Sequence, residues 1–206
     1  MKQCVIFCAG GFSGLIRPIG SDQTIIAADG GLRHTQTLGL KPDIILGDFD
    51  SLGHIPAGAE VFPVEKDDTD SMLAIKKGLS LGCDHFLLYG ALDGDRVDHT
   101  MANFQALGYL ARQGARGYLV GNRQIATVIT DAIGFPQSAT GYFSVFCLGS
   151  EARGVTIRGA KYQLEAGTLS ADFPLGVSNQ FIGKEVSISV EQGSLLLIWD
   201  REWGMP

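Results

Sequence analysis

The sequence predicts an α/β N-terminal half built on a mostly parallel sheet, followed by a small all-β, sandwich-like C-terminal half, with the boundary between residues 132 and 140. Three observations carry this expectation. Short strand-like runs at Cys4 to Ala9, Thr24 to Ala28, Asp43 to Leu46, Glu60 to Val64 and His85 to Tyr89 are bounded by turn-forming or acidic residues, as buried strands are. Between them, Leu32 to Leu38, the series Met72, Ile75, Leu79 and the series Met101, Phe104, Leu107, Ala111 repeat at helical spacing, and such alternation builds parallel sheets. After Gly117 to Val120 and Gln124 to Thr130 the helical period stops, and only short strand-like runs remain.

Taken in order, the first strand enters Gly10-Gly11, which reads as a tight turn more readily than as a phosphate loop because the full dinucleotide fingerprint is absent. The second delivers Asp29-Gly30-Gly31 ahead of a helix that Gly39 closes. An Asp there can bond a ribose hydroxyl, help order a metal, or cap the helix. The third strand ends in Gly47-Asp48-Phe49-Asp50-Ser51, where an extended chain would point Asp48 and Asp50 to one side. The fourth leads to Lys66-Asp67-Asp68-Thr69-Asp70-Ser71 at the start of the second helix, where side-chain oxygens cap free amides. Brought together, the two corners make a hard-oxygen site for a Mg²⁺ ion that also carries phosphate. Its candidate ligands are Asp48, Asp50, Asp67 and Asp70.

The fifth strand opens into a glycine- and aspartate-rich loop that brings Arg96, Asp98, His99 and Asn103 around the entrance of the third helix, which ends at Gly114. An Arg-x-Asp-His cluster in such a loop suits polyphosphate contact. Ala132 to Gly141 reads as a linker, and strands follow at Tyr142 to Leu148, Val155 to Arg158, Val186 to Val190 and Leu195 to Asp200. By themselves Tyr162 reads as a partly exposed strand aromatic and Gly176-Val177-Ser178-Asn179 as a turn. Trp199 is assigned to the core and Trp203 to covering a surface.

The 206 residues are 45% hydrophobic, ample for a core, and the formal net charge is -6 without a basic block, which disfavours nucleic acid and anionic membranes as partners. The apolar run at the N-terminus is too short for a signal peptide or a membrane span, so the expected compartment is the cytoplasm. Cys4, Cys8, Cys83 and Cys147 lack CxxC spacing and read as free thiols, not as zinc ligands or disulfides.

In order along the chain, Ala28-Asp29-Gly30-Gly31, Pro42-Asp43 with Gly47-Asp48-Phe49-Asp50-Ser51, Asp67-Asp68-Thr69-Asp70, Arg96-Val97-Asp98-His99 with Asn103, Lys161-Tyr162-Gln163-Leu164 and Gly176-Val177-Ser178-Asn179 form a specific combination. With these pieces the sequence resembles the thiamine pyrophosphokinase family over nearly its whole length. The resemblance implies a nucleotide-binding α/β domain over residues 1–132, a β-sandwich over 140–206, and a homodimer with active sites between the two kinds of domain. It implies transfer of a pyrophosphoryl group from ATP to the hydroxyl of thiamine, giving thiamine diphosphate and AMP.

By the same resemblance, Asp48, Asp50, Asp67 and Asp70 would hold Mg²⁺ and serve catalysis, with Asp50 the choice for taking the hydroxyl proton. Asp29, Arg96, Asp98, His99 and Asn103 would contact the nucleotide, and Tyr162, Ser178 and Asn179 the thiamine. A cationic thiazolium beside a flat aminopyrimidine suits such an aromatic wall. One departure is Asp95, which stands before Arg96 where family members often have glycine and adds negative charge beside a phosphate contact. Two other classes use the same residues: a Mg²⁺-dependent nucleotide phosphohydrolase with water as nucleophile, and a non-catalytic module that senses nucleotide or thiamine.

Overall fold

Strands that bury side chains on both faces make the centre of one wide sheet. The computed structural model describes residues 1–206 except for the side chain of Trp203, so the role expected of Trp203 lies outside the described residues. The first half comprises β1 (Gln3–Phe7), β2 (Thr24–Ala28), a 3₁₀ turn (Asp29–Gly31), α1 (Leu32–Thr37), β3 (Ile44–Gly47), β4 (Glu60–Val61), α2 (Asp70–Ser80), β5 (His85–Tyr89), α3 (Val97–Arg112) and β6 (Arg116–Val120). The second comprises β7 (Gln124–Ile129), β8 (Ala132–Phe135), β9 (Tyr142–Cys147), β10 (Glu151–Arg158), β11 (Leu164–Ser170), β12 (Gly176–Gln180), β13 (Val186–Ser189), β14 (Leu195–Asp200) and a closing 3₁₀ turn (Arg201–Trp203).

Ten strands form the first sheet in the order β12-β9-β14-β7-β6-β5-β1-β2-β3-β4. Every neighbour from β4 to β6 is parallel, and every neighbour from β6 to β12 is antiparallel. The sheet is therefore mixed, where the alternation of strands and helices predicts a mostly parallel one. The reason is that β7 turns back tightly after β6, and β14, β9 and β12 then add to its free edge. The second sheet, β11-β10-β13-β8, is antiparallel throughout.

Four segments differ from expectation. Ala132–Phe135 is a strand instead of a linker: Ile133 and Phe135 face inward at period two, opposite Ile188 and Val186 of β13, a signal that the Gly and Pro around them mask. Gly176–Gln180 is an edge strand instead of a turn, with a register shift between Gly176 and Asn179, and Ser178 there has φ 59°. Leu164–Ser170 is a strand whose only fully buried side chain is Leu169, too little alternation to announce itself. Glu60 to Val64 shortens to two residues.

Alternate residues of β1 point to two cores. Cys4 and Ile6 pack beneath α2 and α3 with Ala74, Ile75, Leu107 and Leu110, while Val5 and Phe7 belong to the opposite core, which the second sheet completes. Cys4, Cys8 and Cys83 are buried free thiols and Cys147 is partly buried. Trp199 ties the opposite core together, meeting Tyr118 of β6 and Phe135 of β8 edge-on with centroids 6.3 and 5.5 Å away, and its indole N–H donates to the Gly204 carbonyl at 2.8 Å. Replacing a buried Trp by Ala typically costs about 3–5 kcal/mol. Trp199→Ala is expected to lower stability by that amount, with a fall in the denaturant midpoint as the measurement.

Candidate active site

β1 lies between β2 and β5, so the chain leaves it toward one edge of the sheet and returns on its other side. In open α/β sheets ligands bind beyond the carboxyl ends of the strands at such a point. A cavity of about 1090 Å³ opens there, lined from the loops after β1, β2, β3 and β5 and from the first turns of α2 and α3.

The chain segments at its floor approach too closely for side chains. A Cβ on Gly31 would sit 1.9 Å from the Phe7 carbonyl oxygen, and one on Gly10 would sit 2.6 Å from that of Gly90. The amides of Gly10 and Gly11 donate to the carbonyls of Gly90 and Asp93. The glycine pair therefore joins two loops, and its N–H groups are already used.

Gly47, with φ +146°, brings the end of β3 against the backbone of Asp29, 3.1 Å from the position of a Cβ. Asp29, Asp48 and Asp50 each place a carboxylate oxygen within 4.8 Å of the others. Asp48 and Asp50 converge although the chain between them is not extended: Phe49 is buried with φ 60°, and the Asp50 amide donates back to Asp48 Oδ1 at 3.3 Å. Asp29 has φ 46° and is 8% exposed. Its Oδ2 accepts from the Ser51 hydroxyl at 2.7 Å, while its buried Oδ1 has no hydrogen-bond partner among the described residues. The ligands of an octahedral Mg²⁺ at about 2.1 Å lie roughly 3–4 Å apart, so a carboxylate trio with one unpartnered buried oxygen fits such an ion.

The second acidic corner reaches the first through Lys66. Its ammonium donates to Asp48 Oδ2 at 2.7 Å and lies 2.9 Å from Asp70 Oδ1, with side-chain exposure of 12%. The Asp70 contact is at ion-pair distance but outside hydrogen-bond geometry. The hydrogen bond from Lys66 holds the Asp48 carboxyl below its ordinary range. Burial pushes Asp70 up, and the ammonium only partly offsets it because Asp48 and Asp29 repel. Burial pulls Lys66 down, but its two carboxylate partners outweigh that and leave it above its ordinary value. The helix cap is Thr69, whose hydroxyl accepts from the Met72 amide at 3.2 Å; the aspartates are not the cap. Asp67 is exposed and outside the trio, and Asp68 faces away to Lys76 at 2.6 Å.

On the other wall, Arg96 and His99 line the cavity, and the Arg96 guanidinium is paired with Asp98 at 2.6 Å. Both side chains of that pair are exposed. Asn103 is buried, accepting from the Ser71 hydroxyl at 2.8 Å and donating to the Ala91 carbonyl at 2.7 Å, which fastens α2, α3 and the loop after β5 together. Asp93 accepts from the Asn122 amide and is spent on the backbone. Asp95 is exposed beside Arg96.

Tyr162, Ser178 and Asn179 lie at the far end of the molecule, on and beside edge strand β12. Asn179 is buried and clamps the Tyr162 backbone in both directions, accepting from its N–H at 3.0 Å and donating to its carbonyl at 2.6 Å. The Tyr162 ring is 61% exposed with the Lys161 ammonium 5.5 Å from its centre. Seven strand spacings separate β12 from β2, about 34 Å at roughly 4.8 Å each.

Residues 17–119 match the family model described as thiamin pyrophosphokinase, catalytic domain, and residues 131–195 match that described as thiamin pyrophosphokinase, vitamin B1 binding domain. The chain belongs to the thiamin pyrophosphokinase family. It is an enzyme of thiamine pyrophosphorylation. Its fold is that of the thiamine pyrophosphokinase from Bacillus subtilis, with TM-score 0.83 and 22% identity over 98% of this chain and 100% of that one. It is likewise similar to the enzyme from Geobacillus thermodenitrificans, with TM-score 0.76 and 23% identity over 100% of both chains. Similarity extends to the enzyme from Candida albicans, with TM-score 0.74 and 15% identity over 97% of this chain and 88% of that one. Among curated proteins none matches the chain.

Within this family site, sequence reasoning missed Lys66, Ser51 and Arg201. Lys66 precedes a run of five acidic or hydroxyl residues, Asp67 to Ser71, and a cation beside such a run is drawn to its carboxylates. Arg201 carried no signal: its guanidinium reaches back across the chain to Ser13 Oγ and to the carbonyls of Gly14 and Gly121, holding the loop after β1 from the C-terminal end.

The Arg96 hydrogen bonds pull Asp98 from an ordinary 3.8 to about 2. Because the folded value is depressed, the pairing is fully present above pH 3.8 and is lost as pH falls through 2. In an NMR titration of wild type the Asp98 carboxyl is expected to titrate near 2, and in Arg96→Ala higher, toward but below 3.8, because the His99 amide still donates to it. An unmoved midpoint in the variant would show that Arg96 does not hold Asp98.

Proposed function

We propose that ATP is the pyrophosphoryl donor, that Mg²⁺ assists, and that each working site is shared by two copies of the chain. What carries this reading is the carboxylate trio of Asp29, Asp48 and Asp50, with its unpartnered buried oxygen, beside the cavity at the switch point of the sheet. In a chain of this family the cavity is the natural seat of the nucleotide. Residues 1–132 then form the ATP-binding catalytic domain, and residues 140–206 the part that binds thiamine and dimerises.

In this reaction the hydroxyl oxygen of thiamine bonds to the β-phosphorus of ATP. The bond from that phosphorus to the oxygen it shares with the α-phosphate breaks, and AMP leaves with the oxygen. Mg²⁺, when bound, neutralises charge on the phosphate oxygens. Asp48 and Asp50 with Asp29 would hold it, Asp70 adds negative charge beside them once Lys66 has withdrawn, and Asp67 is exposed outside the trio. Asp50, the exposed member of the trio, takes the hydroxyl proton. Arg96 and His99 contact the polyphosphate, Asp98 keeps Arg96 oriented until nucleotide arrives, and Asn103 fixes the loop beneath. Positioning and electrostatics supply most of the acceleration, as in phosphoryl transfer generally.

Thiamine is assigned to Tyr162, Ser178 and Asn179, with Tyr162 as the aromatic wall and Asn179 holding it in place. The roughly 34 Å between these residues and the trio exceeds a thiamine molecule, which supports an acceptor supplied by a partner copy. An exposed apolar patch beside β12, including Tyr142, Phe173, Leu175, Val177 and Ile182, supports that pairing, because an unpaired edge with apolar side chains is a surface for another chain. The proposed compartment is the cytoplasm, where free cysteines such as these stay reduced.

Purified enzyme with ATP, Mg²⁺ and thiamine is expected to yield AMP and thiamine diphosphate in equal amounts by chromatography. ADP with thiamine monophosphate would overturn the transfer assigned here. Asp48→Asn is expected to lower turnover by on the order of a hundredfold or more with its circular dichroism unchanged, and Tyr162→Ala to raise the KM for thiamine.

A C2 dimer with shared sites makes a further prediction. Asp48→Asn and an inactive Tyr162 variant, unfolded and refolded together, are expected to regain roughly a quarter of wild-type activity, since half the dimers are mixed and each has one intact site. No recovery in confirmed mixed dimers would mean that each chain builds its site alone.

A further inference from the structure

We infer that Lys66 is a resident counter-cation: it occupies the metal locus of the ligand-free site, joins the two acidic corners, and sets the metal affinity of the enzyme by competing for Asp48 and Asp70. The inference rests on the proposed reading of the trio as a divalent-metal site.

The supporting geometry is local and specific. Asp48 follows β3 and Asp70 opens α2, so the two carboxylates come from separate elements, yet one ammonium lies 2.7 Å from the first and 2.9 Å from the second. Asp29 and Asp50 each place a carboxylate oxygen within 4.8 Å of one from Asp48, so four acids gather at one locus, with Asp29 buried, Asp48 and Asp70 part-buried and Asp50 exposed. The other nearby cations are engaged elsewhere: Lys76 with Asp68, Arg33 with the Ser51 carbonyl, Arg96 with Asp98. Lys66 is thus the one cation among the described residues in contact with the acidic set.

A lysine ammonium is a point charge on a flexible stem, able to withdraw as a planar, forked guanidinium is not. A divalent ion and the ammonium both require Asp48, and a pair of cations a few ångströms apart in a partly buried site repel strongly. Metal entry therefore means expulsion of Lys66 from between the carboxylates. A purely structural ion pair would stabilise the fold and leave metal affinity alone.

The test uses the full-length enzyme without nucleotide, titrated with Mn²⁺ while free Mn²⁺ is followed by electron paramagnetic resonance, alongside thermal melting. Lys66→Met removes the charge, and Lys66→Gln does so while keeping hydrogen-bond donors should the first variant fold poorly. Both are expected to bind Mn²⁺ on the order of tenfold more tightly than wild type, to melt lower than wild type when metal-free, and to recover on adding Mn²⁺. Lys66→Arg is expected to bind no more tightly than wild type.

Asp48→Asn serves as the control that locates the ion. If wild type binds Mn²⁺, Asp48→Asn does not, and both neutral Lys66 variants bind as wild type does or more weakly, the counter-cation inference is overturned while the metal site stands. If wild type binds no Mn²⁺, or Asp48→Asn binds it unchanged, the metal reading and this inference fall together.

Discussion

Close backbone contact at the carboxyl ends of β1, β2, β3 and β5 is the constraint from which the site is built. Gly31 passes the Phe7 carbonyl and Gly10 meets Gly90 at separations no side chain would tolerate, and Gly47, with φ +146°, passes Asp29 closely enough that a side chain would crowd it. Those contacts draw the loop after β3 over the 3₁₀ turn after β2 and so bring Asp29 beside Asp48 and Asp50. They also leave the amides of Gly10 and Gly11 satisfied within the protein, so on the proposed reading phosphate charge would be met by side chains and a metal ion. Left-handed backbone at Asp29 and Phe49 is the strain this crowding imposes, and such strain survives where surrounding structure over-determines it.

Crowded carboxylates need cations, and the chain supplies them unequally. Arg96 answers Asp98 in the open, where a pair contributes little to stability and is readily exchanged for another anion. Lys66 answers Asp48 and Asp70 under cover, where loss of one partner leaves an uncompensated charge. The opposite displacements of Asp48 and Asp70 follow from this. One carboxyl has the ammonium as a hydrogen-bond donor, while the other is raised first by burial and then by two like charges, which the ammonium at ion-pair distance only partly offsets. A site held by one lysine in this way is ordered before ligand arrives and needs no further folding to receive one.

Much of this was legible in the sequence, and what was not has physical causes. Strands buried on both faces, such as Thr24–Ala28, His85–Tyr89 and Leu195–Asp200, match their observed bounds because continuous apolar runs leave little choice. The acidic corners were legible as a pair. Their geometry was not: an extended Asp48-Phe49-Asp50 is the simplest way to align two carboxylates, and the chain does it instead with a left-handed Phe49 that no local pattern announces. Asp29 read ambiguously until the fold brought it to Asp48. The antiparallel extension of the first sheet was hidden because strand order depends on pairings far apart in sequence, such as β14 with β7, and edge strands such as β11 and β12 bury too little to alternate.

Sheet order also constrains how the two ends of the chain can cooperate. Both family models match this one chain, yet the strands that carry their key residues stand seven positions apart in the same rigid sheet. Hinge motion cannot bring them together, because β14, β7, β6 and β5 between them are buried and hydrogen-bonded on both sides. On the proposed reading, with the donor at β1 and β2 and the acceptor at β12, a second copy related by a two-fold axis would join them, since such an axis applies twice and gives two equivalent sites. On the proposed reading the outer edge of β12, which within the chain meets the segment at Ala160 and Lys161, would face the second copy, and the exposed aromatic and aliphatic side chains around it would be the surface that copy covers.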